Sequence, residues 1–239
     1  MGLTQTLRSR RDALTLWNRL RLRKKLAHRY ITGTGIEIGA LHEPLSLPPG
    51  AHAKYLDRLT TSQLREEYPA VAHLPLVEVD IVEDGEDPQS IEDGSLDFVI
   101  ASHMIEHCED PVGTIGNWLR ILRPGGIIFL VVPDRRRTFD QPREPTSTDH
   151  LLQDHREGPA VSHTHHYREW VDAVHPESED PDHLAADLDE QGYRIHFHVW
   201  SPAEFRDSVE TFAREEQMPL KVVAVGQNYR EFMLVAEKT

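Results

Sequence analysis

The residues best placed to do chemistry are defined by a spacing. Glu37 and Gly39 close the short apolar run Gly35-Ile36-Glu37-Ile38-Gly39. Asp57 stands twenty positions after Glu37, at the end of a second run, Ala53-Lys54-Tyr55-Leu56. β-Branched residues ending on glycine read as a buried strand whose last residue lets the backbone approach a ligand closely. An acid at the end of the next strand can accept hydrogen bonds from both hydroxyls of a ribose. The phosphate-cradling form of this unit requires G-x-G-x-x-G, but here Gly39 is followed by Ala40, Leu41, His42 and Glu43. An acid stands where a pyrophosphate would sit, so the spacing predicts a cationic or neutral nucleoside. The competing reading is a strand–turn–strand unit with a surface aspartate.

Histidines form the second chemical set. Nine of the fifteen fall between His150 and His198, with His163, His165 and His166 close together. Imidazole can take a proton near neutral pH. His150 has Asp149 beside it and Asp154 one helical turn on, so either acid can orient its ring. The alternative is a surface histidine lining a helix.

These residues need strands to present them. Thr60 to Tyr68 predicts a short helix capped by Thr60 or Thr61. Leu76 to Asp80 alternates as a third strand, and the acidic stretch Glu83 to Asp93, with Gly85 and Pro88, reads as a surface loop or short helix. Ser95 to Ser102 predicts a fourth strand, Asp110-Pro111 opens a helix to Leu122, Arg123 to Gly126 predicts a turn, and Ile127 to Val132 a fully buried fifth strand. Ser201-Pro202-Ala203-Glu204 is a capping-box start to a helix over 205–216. Two alternating strands, 220–226 and 231–237, follow it.

The acid-x-glycine turn, the acid after strand 2 and the block DFVIASHMIEH…LRPGGIIFLVVP together resemble the class I S-adenosylmethionine (SAM)-dependent methyltransferases. The likeness covers about residues 33 to 134 and 199 to 239. It implies an α/β, Rossmann-like sheet of seven strands with an antiparallel last strand. It also implies SAM as cofactor, held by Glu37, Gly39, Ala40, Asp57, Arg58, Asp80, Ile81, Ser102 and His103, with Asp80 and Ile81 at the adenine. The departure is Ala40-Leu41, which replaces part of the family's glycine run. His103, Glu106 and His107 resemble the E-x-x-E-H element of methyltransferases that bind a divalent metal beside SAM, with His103 in place of the first Glu. His163 to His166 would complete such a site, whose imidazoles suit Zn, Fe or Mn better than Mg.

Residues 134–198 exceed the usual ~2–6-residue connection. Leaving strand 5, they are expected over the mouth where the methyl group is presented. Their arginines (135–137 and 143), carboxylates and aromatics suit a hydroxyl-rich acceptor. The segment from Pro133 to Asp154 is similar to one in bacterial methyltransferases encoded among polysaccharide-assembly enzymes, with the mycobacterial methylated-polysaccharide type a closer match. This implies O-methylation of a sugar or glycan precursor with His150 as base. The rivals are metal-assisted methylation of another small hydroxylated acceptor and an inactive methyltransferase-fold binding protein.

Composition narrows the partners. A net charge of −14 argues against nucleic acid. No apolar run reaches the ~18 residues of a membrane span, and the single cysteine, Cys108, fits a reducing compartment. The expectation is one cytoplasmic domain over 1–239, with a small-molecule or oligosaccharide acceptor, a homodimer as its assembly and no stable membrane insertion. Residues 3–28 predict a basic amphipathic helix, with Leu3, Leu7, Leu14 and Trp17 on one stripe. Covering the cofactor mouth is preferred to lying on an anionic membrane.

Overall fold

The computed structural model describes residues 20–239. The stripe from Leu3 to Trp17 therefore lies outside the described residues, and residues 20–30 are helical (α1). Seven strands follow: β1 (Thr34–Ile38), β2 (His52–Asp57), β3 (Ile81–Val82), β4 (Leu96–Ser102), β5 (Leu122–Pro133), β6 (Leu220–Gln227) and β7 (Glu231–Lys238). They form one sheet in the order β3-β2-β1-β4-β5-β7-β6. The first five are parallel, and β7 runs antiparallel to both β5 and β6.

The apolar runs become central strands because both faces of the sheet are covered. Val99, Ala101, Ile128 and Leu130 face a core with Trp118 of helix α3 (Pro111–Ile121) and Phe205 of helix α7 (Pro202–Glu215). Phe98, Ile100, Phe129 and Val131 face the opposite core, with Ala27 and Ile31 at the α1 end. Helix starts follow their sequence signals. Thr60 and Gln63 form a capping box on α2 (Thr61–Glu67), Asp110 accepts from Gly113 N on α3, and Ser201 with Glu204 caps α7.

Two expectations are corrected. The third strand is only Ile81–Val82, because 76–80 pairs through side chains: Tyr55 N donates to Asp80 Oδ2 at 2.8 Å and Val79 N to Thr61 Oγ1 at 2.9 Å. Arg123 to Gly126 does not stand apart as a turn but belongs to β5, which is irregular against β4 between Leu96 and Phe98.

The insertion carries α4 (Thr148–Glu157), α5 (His163–Val174) and α6 (Pro181–Glu190). Its two ends meet: Asp134 bridges to Trp200, and Arg135 N donates to Trp200 O at 3.0 Å. Helices α5 and α6 close a small core of their own from Tyr167, Trp170, Val171, Ala185, Ile195 and Phe197. Most of the aromatics expected to face an acceptor are therefore buried. Arg143 is buried as well, donating to Asp140, Glu169 and the carbonyls of His196 and Phe197. Phe139 and Tyr193 remain exposed.

Candidate cofactor pocket and histidine clusters

A cavity of about 320 Å³ opens at the carboxyl ends of β1, β2 and β4. Gly39, which follows β1, has φ +66°, and a Cβ built there would meet nothing within 4 Å. The left-handed backbone thus leaves open space beside the strand end, as a close-lying ligand requires. Asp57 ends β2 on the cavity wall, where burial raises its pKa although the Leu59 and Arg58 amides and the Arg58 charge oppose the shift. Ser102 and His103 bring in the end of β4, and Arg58 lines the cavity while bonded to Glu67 at 2.7 Å.

The third acid is Asp84. Asp80 and Ile81 do not line the cavity; Asp80 is tied to the backbone of β2, and Asp84, Gly85 and Glu86 stand there instead. Gly85 is fixed from behind, its carbonyl accepting Trp118 Nε1–H at 2.8 Å. A Cβ on it would lie 2.5 Å from Ile38 Cγ2. Burial, with Asp84 next to it, pushes Glu86 up to about 7. Alternation in 76–80 drew attention to Asp80, which is not on the cavity wall. The usable signal was the glycine of Asp84-Gly85, which the tight packing beside Ile38 demands.

Glu37 is buried beneath the loop that follows β1, with Oε1 accepting from Leu45 N at 2.8 Å and Oε2 unpartnered. Burial raises it to about 7. Ala40 is buried and its carbonyl accepts from Glu43 N.

His103 also has a left-handed backbone, φ +52°, which a bulky residue adopts only when its surroundings enforce it. Its Nε2 lies 3.0 Å from Glu231 Oε2 and 3.2 Å from Arg23 Nη2, and its Nδ1 3.6 Å from Glu106. Burial alone would lower its pKa, but Glu106 and Glu231 outweigh that and raise it to about 9. His103 therefore does not join the metal set expected with His107. Glu106 and His107 are grouped instead with His196.

His107 lines the cavity. Its Nδ1 lies 2.7 Å from Ile195 O, a contact that places the proton on Nδ1 and leaves Nε2 as a lone pair. Burial holds its pKa below the ordinary imidazole value, with His196 and Arg194 acting the same way. The ring of His196 packs edge-on against His107 at 4.8 Å, and exposed Phe139 lies 4.9 Å beyond it.

His150 stands apart from the cavity walls. It is gathered with Asp154, His166 and His198 in the insertion. Its Nε2 is 3.1 Å from Asp154 Oδ2, the orientation expected of a residue one turn on. Asp149 is exposed in the first turn of α4. Burial lowers His166 to about 3 and His198 well below the ordinary value.

The strand order with a reversed β7, and open space at Gly39 flanked by Asp57 and Asp84, agree with one fold. Residues 45–130 match the family model described as a methyltransferase domain. The fold is that of the class I SAM-dependent methyltransferases. A Mycolicibacterium smegmatis protein described as a probable SAM-dependent methyltransferase is 34% identical over 101 residues, 40% of this chain and 35% of that protein. An uncharacterized 37.1 kDa transposon protein of Streptomyces fradiae is 28% identical over 43% of this chain and 28% of its own length. The chain thus matches about a third of the length of these relatives. In architecture, a SAM-dependent methyltransferase from Aquifex aeolicus superposes with a TM-score of 0.50 at 12% identity, covering 97% of this chain and 98% of that one. SAM suits this pocket. The volume falls in the ~300–1,000 Å³ range of ligand sites, and Asp57 offers a ribose acceptor.

Proposed function

We propose that the chain transfers the methyl group of SAM to a hydroxyl of a polar acceptor, a sugar or glycan precursor, with His107 as the base. The observation that carries the reading is the imidazole on the pocket wall, neutral and tautomer-fixed by the Ile195 carbonyl. SAM, when bound, supplies a methyl carbon whose bond to sulfur breaks with the electron pair going to sulfur. An acceptor hydroxyl is a weak nucleophile, and a placed base contributes ~10²–10⁴-fold. His107 Nε2 accepts that proton, and Phe139 beyond His196 offers an apolar face for a sugar ring. Asp57, Asp84 and Gly39 hold the cofactor, so the acceptor oxygen needs only alignment and exclusion of water. His150, taken from sequence as the base, belongs to a set of side chains away from these walls.

A second reading follows from Glu106, fully buried with no hydrogen bond to either oxygen and within 4.8 Å of ligand atoms of His107 and His196. There a divalent ion would polarise the acceptor oxygen and His107 would be a ligand. Incubation of the full chain with methyl-labelled SAM and panels of glycans, phenols and carboxylic acids tests the proposal. Labelled glycan supports it, and label only in phenols or acids refutes the sugar assignment. No calorimetric heat with SAM or S-adenosylhomocysteine points to a binding protein instead. Activity that survives His196→Ala supports the base, whereas its loss supports the metal.

A further inference from the structure

The insertion's four-residue group has no part in the cofactor pocket. His150 and Asp154 lie one turn apart on α4, His166 is on α5, and His198 lies in the chain returning to the sheet. Three of the four are buried: Asp154 and His198 have no exposed surface and His166 only 4%. His150 Nε2 is 3.0 Å from His166 Nε2 and 3.1 Å from Asp154 Oδ2, and His166 Nε2 is 3.7 Å from the same oxygen. Two imidazole nitrogens facing each other at 3.0 Å share at most one proton between them. His198 Nδ1 is buried without any hydrogen bond, and buried Asp154 Oδ2 is met only by the His150 and His166 nitrogens. A folded protein rarely leaves such atoms unmatched.

We infer that His150, Asp154, His166 and His198 form a structural site for a divalent transition metal, Zn²⁺ foremost. Donors at about 2.05 Å from a tetrahedral ion are about 3.3 Å apart. The three separations here scatter around that value, and one ligand atom from each of the four residues lies within 4.8 Å of every other. Three imidazoles and a carboxylate are donors that zinc accepts, and a closed set of four protein ligands is the structural rather than the catalytic arrangement. Outer contacts orient the set. Ser162 Oγ donates to Asp154 Oδ1 at 2.7 Å, leaving Oδ2 to the ion, and His198 Nε2 lies 3.3 Å from Glu109 O, leaving Nδ1. The ion would join α4, α5 and the returning segment, fixing the insertion to the element that carries Glu106, whose carbonyl accepts from His198 N at 3.2 Å.

The full chain, purified without chelator, should carry about one equivalent of zinc. After removal of that metal, titration with Co²⁺ should give the intense visible bands of a tetrahedral site, saturating at one equivalent. Asp154→Asn and His198→Ala should reduce the bands at least tenfold, while His155→Ala and His196→Ala keep them. Circular dichroism identifies any variant that fails to fold. For the wild type, a chelator should lower the melting temperature and added Zn²⁺ restore it, a readout independent of any variant's folding. No zinc as purified together with no cobalt bands overturns the inference. So do bands lost in His196→Ala but kept in His198→Ala, which would move the ion to the pocket.

Discussion

Glu231 at the start of β7 accepts from Arg23 Nε at 2.7 Å and Nη2 at 2.6 Å, from His103 at 3.0 Å and from Asn228 at 2.9 Å. Glu231 and Arg23 are 1% and 4% exposed, so Glu231→Gln would strand a buried guanidinium. Breaking a buried pair from one side costs about 3–5 kcal/mol. The depressed pKa of Glu231 reflects the same contacts. Burial would raise its pKa, but the hydrogen bonds from His103 and Arg23 lower it from 4.5 to about 2. At 1.36 kcal/mol per unit, this corresponds to roughly 3 kcal/mol. Because the folded pKa is depressed, that stability is present above pH 4.5 and lost as pH falls towards 2. His103 runs the other way: raised to about 9, it contributes fully below pH 6.5 and loses its share as pH climbs through 9. The two share one contact, so their contributions do not add. Urea unfolding of the full chain should show Glu231→Gln less stable by about 3–5 kcal/mol at pH 6 with an unchanged m-value. The wild-type slope between pH 4.5 and 2 should flatten in the variant. A loss under about 1 kcal/mol, or an unaltered acid slope, would refute the reasoning.

Asp57→Ala should weaken SAM binding by about 1.5–3 kcal/mol, the range for hydrogen bonds to charged groups, and calorimetry showing unchanged affinity in a folded variant removes the ribose assignment. Gly85→Ala should lower both SAM affinity and melting temperature, since its Cβ would sit 2.5 Å from Ile38 Cγ2; overpacking of this kind costs about 1–3 kcal/mol. His107→Ala should retain SAM affinity while kcat falls by about 10²–10⁴. The wild-type pH–rate profile should keep its plateau to below pH 6.5, because burial depresses the His107 pKa, and the variant should lack that acidic limb. Retained turnover would count against the base.

The parallel core of the sheet was legible because β4 and β5 are apolar on both faces, and Asp57 because a strand end and an acid coincide in one short stretch. Asp84 was not. Leu76 to Asp80 alternates like a strand, but its polar groups bond to Tyr55 and Thr61, so the chain reaches the pocket four residues later. The pairing of His150 with Asp154 is local and shows in the spacing. The arrival of His198 beside them, and of His196 beside His107, depends on how 195–200 returns to the sheet, which no local pattern encodes. The insertion's arginines and aromatics suggested an acceptor surface by composition, yet a segment this long must first build its own core. Among the described residues no helix is long and apolar enough to cross a membrane.

The meeting of Asp134 with Trp200 makes the whole excursion a detour with adjoining ends. Shortening it about sixteenfold would change the loop-closure entropy by only about 2.5 kcal/mol, because that term grows with the logarithm of length. The sheet thus tolerates segments of very different size at this neck, provided that they supply apolar replacements for Leu151 and Leu152, which reach the main core. A graft at this neck would replace Arg194 on the pocket wall and the Ile195 carbonyl that fixes His107, while leaving Gly39, Asp57 and Asp84 in place.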